Sequence, residues 1–296
     1  MTRQNLKDKI ASEVLILDGA MGTQLMAHGI EAGTCNDYLN IESADVILDI
    51  HSAYLQAGSD AVITNTFGAN RITLARHNLG DKVADINTAA AKIARQAAGE
   101  DKYVLGDIGP TGDFLKPFGS LEPESLKEAF AEQAKALLDG GVDGIIIETM
   151  TALDELEIAI KAVKDISVLP LFVSLAFDAV KDGFRTMMGV DPAEAAGRLL
   201  PIKVDALGFN CGTLTLRQYE ELAKTYADII NDKTFLLAEP NAGKPELEDG
   251  KAVYTVTAEE FASAAQKIHE AGARIIGGCC GTSPEHIKAA VKKIRK

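Results

Sequence analysis

Eight short apolar runs, each followed by a helical pattern, recur from one end of the chain to the other. They read VLILD near 14, AVITN near 61, YVLGD near 103, GIIIE near 144, LFVSL near 171, ALGFN near 206, FLLAE near 235 and ARIIG near 273. Several are continuously apolar rather than alternating, as parallel strands buried on both faces are. The segments between them repeat every 3.6 residues. In PESLKEAFAEQAKALLDGG one stripe holds Leu126, Phe130, Ala134, Leu137 and Leu138, and the two glycines end it. In TALDELEIAIKAVKD the stripe is Leu153, Leu156, Ile160 and Val163, with Thr151 expected as cap. Thr257 with Glu260 predicts a capping box ahead of a helix that stops at Gly272, and Ser283 followed by Pro284 predicts another helix start.

Eight strand–helix units with no low-complexity linker predict one α/β domain over residues 1–296, a closed (β/α)8 TIM barrel. An open doubly wound sheet is the rival, but nothing in it requires a count of eight. The 296 residues fall within the range such barrels reach as single domains. The segment PNAGKPELEDGKAVYTV after the seventh run is long for a connection and is expected to be functional or a lid.

Charge and cysteine content narrow the function. Thirty Lys and Arg against 43 Asp and Glu give a net −13, spread along the chain with no basic stripe, so nucleic acid is not an expected partner. No stretch of eighteen apolar residues exists and the start MTRQNLKDKIASE is polar, so neither a membrane span nor a secretory signal is expected; a cytoplasmic protein is. Four cysteines, Cys35, Cys211, Cys279 and Cys280, are too few and too uneven for a disulfide scaffold.

Barrel enzymes carry their chemistry on the loops that follow the strands. At those positions stand Asp18, Asn65 and Thr66, Asp107, Glu148, Asn210 with Cys211, Glu239 with Asn241, and the pair Cys279–Cys280. Three cysteines therefore converge on one mouth. Where a strand gives way to a glycine-flanked turn, both members of a vicinal pair can be turned toward one atom. Three thiolates at about 2.3 Å make a tetrahedral zinc site with its fourth position open, the catalytic pattern. Spacing alone leaves open a strained vicinal disulfide, or thiols that are only small buried hydrophobes.

The stretches DGAMGTQL, TNTFGAN, DIGPTG, ETM, GFNCG, EPNAGKP and GGCCGTSPEHI, in this order, resemble the homocysteine S-methyltransferase family, most closely the homocysteine-binding module of cobalamin-dependent methionine synthase. The resemblance covers nearly the whole chain, and GGCCGT paired with an upstream NCG is its most specific part. It implies a (β/α)8 barrel in which Cys211, Cys279 and Cys280 bind zinc and support methyl transfer to the homocysteine thiol, giving methionine. It further implies that Asp18, Gly19 and Glu148 hold the substrate ammonium, while amides and hydroxyls around Asn65 and Thr66 meet its carboxylate. Asn241 offers an amide oxygen as a displaceable fourth ligand.

The expected methyl donor is a methylated corrinoid, either methylcobalamin or a separate corrinoid protein, unless the chain is one module of a longer protein. S-methylmethionine or betaine donors are alternatives, the latter less favoured in a chain with no Trp. A noncatalytic zinc-stabilised barrel that binds a corrinoid protein is the alternative of another class. Asp107 reads as a loop anchor. His51 in DIHSAY reads as a helix residue rather than part of a corrinoid motif, and His269 and His286 as solvated or capping.

Overall fold

The computed structural model describes residues 3–31, 33–248 and 251–295. All eight apolar runs are strands: β1 (Leu15–Ile16), β2 (Ala61–Ile63), β3 (Tyr103–Ile108), β4 (Gly144–Met150), β5 (Leu171–Leu175), β6 (Ala206–Asn210), β7 (Phe235–Glu239) and β8 (Ala273–Ile276). They form one sheet in the order β1-β8-β7-β6-β5-β4-β3-β2, every neighbouring pair parallel. This is the expected (β/α)8 barrel.

Because side chains alternate along a strand, each strand fills two cores. Leu15, Leu17, Tyr103, Leu105, Ile146, Phe172, Leu237 and Ile275 pack together inside the barrel, with Leu6 and Ile10 of the helix Leu6–Ser12 added to the same cluster. The intervening residues, such as Ile145, Ile147, Val173, Leu207 and Ile276, face outward and join the helical stripes. Two hairpins stand apart from the barrel sheet: Asp178–Val180 with Gly183–Arg185 after β5, and Glu246–Glu248 with Lys251–Val253 in the long segment after β7.

An aspartate just before each of β2, β4 and β6 ties the entry of the strand before it. The N–H of Ile16 donates to Asp60 Oδ2 at 2.9 Å, that of Val104 to Asp143 at 2.8 Å and that of Leu171 to Asp205 at 2.9 Å. Each aspartate returns its own backbone N–H to the carbonyl of the same residue. Cations complete the arrangement: Arg295 on Asp60, Arg3 and Arg95 on Asp143, and Lys7 on Asp205. These carboxylates satisfy donors that the start of a parallel ladder leaves unpaired.

The β1–β2 seam depends on this device most, since no ladder pairing joins these two strands among the described residues. At its lower end Asp60 exchanges two bonds with Ile16. At its upper end the N–H of Ile63 donates to Asp18 Oδ2 at 3.0 Å. Two carboxylates thus close the barrel.

The helices start and stop largely where the sequence places them. Thr257 and Glu260 form the capping box of Ala258–Glu270, and Ser283 precedes Pro284–Ile294 with His286 bonded back to it. Thr151 is not a cap: helix Leu153–Lys164 begins at Ala152 with no side-chain cap, and the Thr151 carbonyl instead accepts from Thr186 Oγ1 at 2.7 Å. The residue that local pattern assigns to the cap stands one position ahead of the helix start, its backbone tied to the segment after the β5 hairpin. No described helix is long and apolar enough to cross a membrane.

The seam predicts unequal losses from like substitutions. Asp60→Ala should lower unfolding free energy by about 2–3 kcal/mol, the scale of hydrogen bonds to a charged group, and Asp205→Ala by about half as much because β5 and β6 retain a full ladder. Equal losses in urea unfolding would show that the β1–β2 seam depends on its carboxylate no more than the laddered β5–β6 pair does.

Candidate functional site

Cys211 follows β6, and Cys279 and Cys280 follow β8. Cys211 has φ of 51° and Thr149, after Glu148 on β4, has φ of 59°. Both are left-handed conformations that non-glycine residues adopt at a cost, and they turn the chain where each strand ends. The Cys211 turn is held by Tyr219, whose hydroxyl donates to the Cys211 carbonyl at 2.5 Å. The Cys279–Cys280 turn is held from the β7 loop: the N–H of Cys279 donates to Pro240 O and that of Ala242 to Cys280 O, both at 2.9 Å.

The three sulfurs lie within 4.8 Å of one another. Cys211 Sγ is 3.8 Å from Cys280 Sγ, and Cys279 Sγ is 4.0 Å from Cys280 Sγ. Two sulfurs each about 2.3 Å from a tetrahedral ion stand about 3.8 Å apart, so the cluster already has the spacing a metal requires. Such distances are also far beyond a disulfide bond of about 2.05 Å, and all four cysteines are free thiols. Hydrogen bonding from Cys211 and Cys279 lowers the Cys280 thiol to about 3. The same contacts hold the Cys279 thiol well above its ordinary value.

Asn241 is buried in the same loop; its Nδ2 donates to Gly212 O at 2.8 Å, and its Oδ1 has no hydrogen-bond partner. An unpaired buried carbonyl oxygen is a costly group and suits a cation or ligand.

Beside the sulfurs lies a group of acids. Asn210 connects the two, its Nδ2 lying 2.7 Å from Glu148 Oε2 and 3.7 Å from Cys279 Sγ, while its Oδ1 accepts from Thr149 N and Ser174 Oγ. Asp18, Asp107 and Glu239 are buried, and Asp18 Oδ1, Asp107 Oδ1 and Glu239 Oε2 lack partners. Burial, then the Cys280 charge, pushes Glu148 up to about 7. Burial also drives Asp18, Asp107 and Glu239 well above the carboxylate range, with Glu148 repelling each of them. Protein groups thus leave several acceptor oxygens unsatisfied at one place, an arrangement complementary to a small cation such as an ammonium.

The β2 turn is already internally bonded. Thr66 Oγ1 donates to Asp107 O at 2.8 Å and lies 2.6 Å from Thr64 Oγ1, and Asn65 Nδ2 donates to Asn36 O at 2.7 Å. Its hydroxyl and amide are thus committed to shaping the turn. Asp107 anchors that turn through its backbone, as expected, and also carries the unpaired oxygen.

Two roles escaped the sequence reading, which took His51 only as a helix residue and did not single out Tyr254. His51 is fully buried on helix Ala44–Ala57, with Nδ1 3.9 Å from Asp18 Oδ2, and burial lowers it to about 4, so it backs Asp18 as a neutral ring. The ring of Tyr254, at the end of the β7 segment, lies so close over Gly281 that a Cβ there would meet it at 2.1 Å. An aromatic residue covering the vicinal cysteines is invisible to local pattern, since only the return of that long segment brings it there.

Against known families, the homocysteine S-methyltransferase model matches residues 15–294. The chain belongs to the homocysteine S-methyltransferase family. Methionine synthase of Mycobacterium tuberculosis (strain ATCC 25618 / H37Rv) is 34% identical over 315 residues, covering 99% of this chain and 26% of that protein. Methionine synthase of Mycobacterium leprae (strain TN) is 33% identical over 312 residues, covering 99% and 25%. This family member therefore spans about a quarter of the length of these relatives. The metallated form of the homocysteine methyltransferase MmuM from Escherichia coli shares its fold with a TM-score of 0.79 at 24% identity, covering 98% of both chains. A methyltransferase from Methanosarcina mazei does so with a TM-score of 0.62 at 12% identity, covering 98% of this chain and 96% of that one.

The buried acids carry a stability cost with a defined sign. Because the folded Glu148 carboxyl holds its proton more tightly than the unfolded chain does, it takes stability away as pH rises from about 4.5 to about 7, and the loss is complete above that. Glu148→Gln should be more stable than the parent by about 1–3 kcal/mol at pH 8, with the gap closing toward pH 5. A difference independent of pH would show that Glu148 titrates normally.

Proposed function

We propose that residues 1–296 form one homocysteine-binding barrel in which Cys211, Cys279 and Cys280 hold Zn2+ and the thiol of homocysteine is methylated to give methionine. The observation that carries this reading is the tetrahedral spacing of three sulfurs next to a group of acids with unpaired buried oxygens, with Asn210 bonded to Cys279 and to Glu148 of that group. An all-thiolate donor set suits zinc among the divalent metals. Bound there, Zn2+ supplies one thing: it lowers the pKa of an incoming thiol so that the thiolate is available at neutral pH.

The chain's own residues do the rest. Three cysteine thiolates against a doubly charged ion give a net −1, which keeps a fourth thiolate electron-rich. Asn241 Oδ1 is the displaceable fourth donor. Asp18 and Glu148, with the Gly19 turn, take the substrate ammonium, and amides around Asn65 and Thr66, whose own side chains shape that turn, take the carboxylate, so the substrate is held at both ends. Four free thiols accord with a reducing, cytoplasmic setting.

A methylated corrinoid, either methylcobalamin or a corrinoid carried by a separate protein or a further module of a longer chain, is the donor in this reading. Resemblance to one quarter of much longer methionine synthases supports it. So does a rim of exposed Phe67, Phe114, Phe118, Met187 and Met188 on the loops after β2, β3 and β5, which a large donor can cover.

Metal analysis should find about one zinc per chain. Cys211→Ser, Cys279→Ser or Cys280→Ser should lose metal and activity together while the barrel stays folded by circular dichroism. Full zinc occupancy in Cys279→Ser sinks the assignment, and unfolding on chelation would favour a noncatalytic zinc-stabilised barrel. Methionine formation from homocysteine should proceed with methylcobalamin. Turnover with S-methylmethionine or betaine and none with any corrinoid would move the protein to another branch of the family.

A further inference from the structure

Homocysteine and cysteine carry the same three functional groups and differ by one methylene. A site that fixes the sulfur at one turn and the ammonium at another discriminates them by the distance between the turns. In this chain those turns follow β8 and β1, adjacent strands from opposite ends of the sequence, and they are stitched together by Thr282.

Thr282 is fully buried. Its Oγ1 accepts from Ala20 N at 3.0 Å and donates to Cys279 O at 2.7 Å, so one hydroxyl joins the Asp18–Ala20 turn to the vicinal cysteines. A Cβ at Gly19 would meet Thr282 Oγ1 at 2.6 Å, and one at Gly278 would meet Thr282 Cγ2 at 2.7 Å, so both turns close on this side chain. The contact is reinforced around it. Gly278 N donates to Asp18 O and Gly281 N to Thr23 Oγ1, both at 3.0 Å, and Tyr54 Oη lies 3.1 Å from Ala20 O and 3.2 Å from Thr282 O.

We propose that Thr282 is a positioning residue that sets the separation between the cysteine turn and the ammonium-binding turn, and so makes the site select homocysteine over cysteine. This rests on the function proposed above. Thr282 reaches neither end of the substrate itself; it acts through the backbone of Ala20 and Cys279. One methylene is worth roughly 10- to 200-fold in discrimination, and a misplacement of about 1 Å costs on the order of a hundredfold.

The test compares Thr282→Val, which keeps the shape and removes both bonds, with Thr282→Ser, which keeps the hydroxyl. For each zinc-loaded protein, calorimetric affinities for homocysteine and cysteine are measured together with the kcat/KM ratio for the two thiols, zinc content and the thermal midpoint. The parent should prefer homocysteine by roughly 10- to 200-fold. Thr282→Val should lose at least about tenfold of that preference at full zinc occupancy, and Thr282→Ser should restore most of it. Parental discrimination in folded, zinc-loaded Thr282→Val overturns the proposal, as does a parent that binds both thiols equally. If Thr282→Val does not fold, Thr23→Ala removes a second bond across the same junction and must also reduce the preference; an unchanged ratio there counts against the proposal equally. A parent that binds neither thiol refutes the proposed function instead.

Discussion

The upper end of this barrel gathers acidic groups where water is largely excluded. Asp18, Asp107 and Glu239 are buried, Glu148 stands beside them, and three cysteine sulfurs lie within 4.8 Å of one another. Burial disfavours the charged form of all four carboxyls and displaces each upward, and Glu148 adds repulsion for the other three. Such a cluster is destabilising for the protein alone and favourable once cations enter. In the function proposed above, a divalent metal on the sulfurs and an ammonium on the acids would be the charges that balance it, homocysteine bringing the second while its thiol approaches the first.

The scaffold tolerates that cost because its lower end is arranged oppositely. Asp60, Asp143 and Asp205 are each matched by arginine or lysine and by a strand N–H, so the charges that hold the barrel are paired. Among the described residues, the buried acids with unpaired oxygens lie at the mouth. One residue belongs to both tasks: Asp18 closes the β1–β2 seam with one oxygen and leaves the other unpartnered. With the ammonium-binding role proposed for Asp18, substrate binding and barrel closure would be mechanically linked through a single carboxylate, with a neutral His51 behind it.

Precision at the mouth comes from turns rather than strands. Left-handed φ at Thr149 and Cys211 reorients the chain at the end of β4 and just after β6, and Asn210 between them spends its amide on Glu148, Thr149 and Cys279. A side chain with that many partners has little freedom, and neither do the groups it contacts. The long segment after β7 contributes from the other side, through Pro240, Ala242 and Tyr254.

The amino-acid sequence alone determined the barrel, because strand and helix periods are local properties and eight repetitions of them leave few closed arrangements. It also determined that three cysteines stand at strand ends on one mouth, since the position of a residue after a strand follows from chain order. The cap at Thr257 was legible for the same local reason, whereas the cap expected at Thr151 was not formed because the helix takes Ala152 as its first flanking residue. Only the tertiary structure decided which oxygens remain unpaired, that Thr66 is committed to its own turn, that His51 backs Asp18, and that Thr282 joins the first turn to the last. Those outcomes depend on strand register and on contacts between residues more than two hundred positions apart, such as Ala20 and Thr282, which no local pattern encodes.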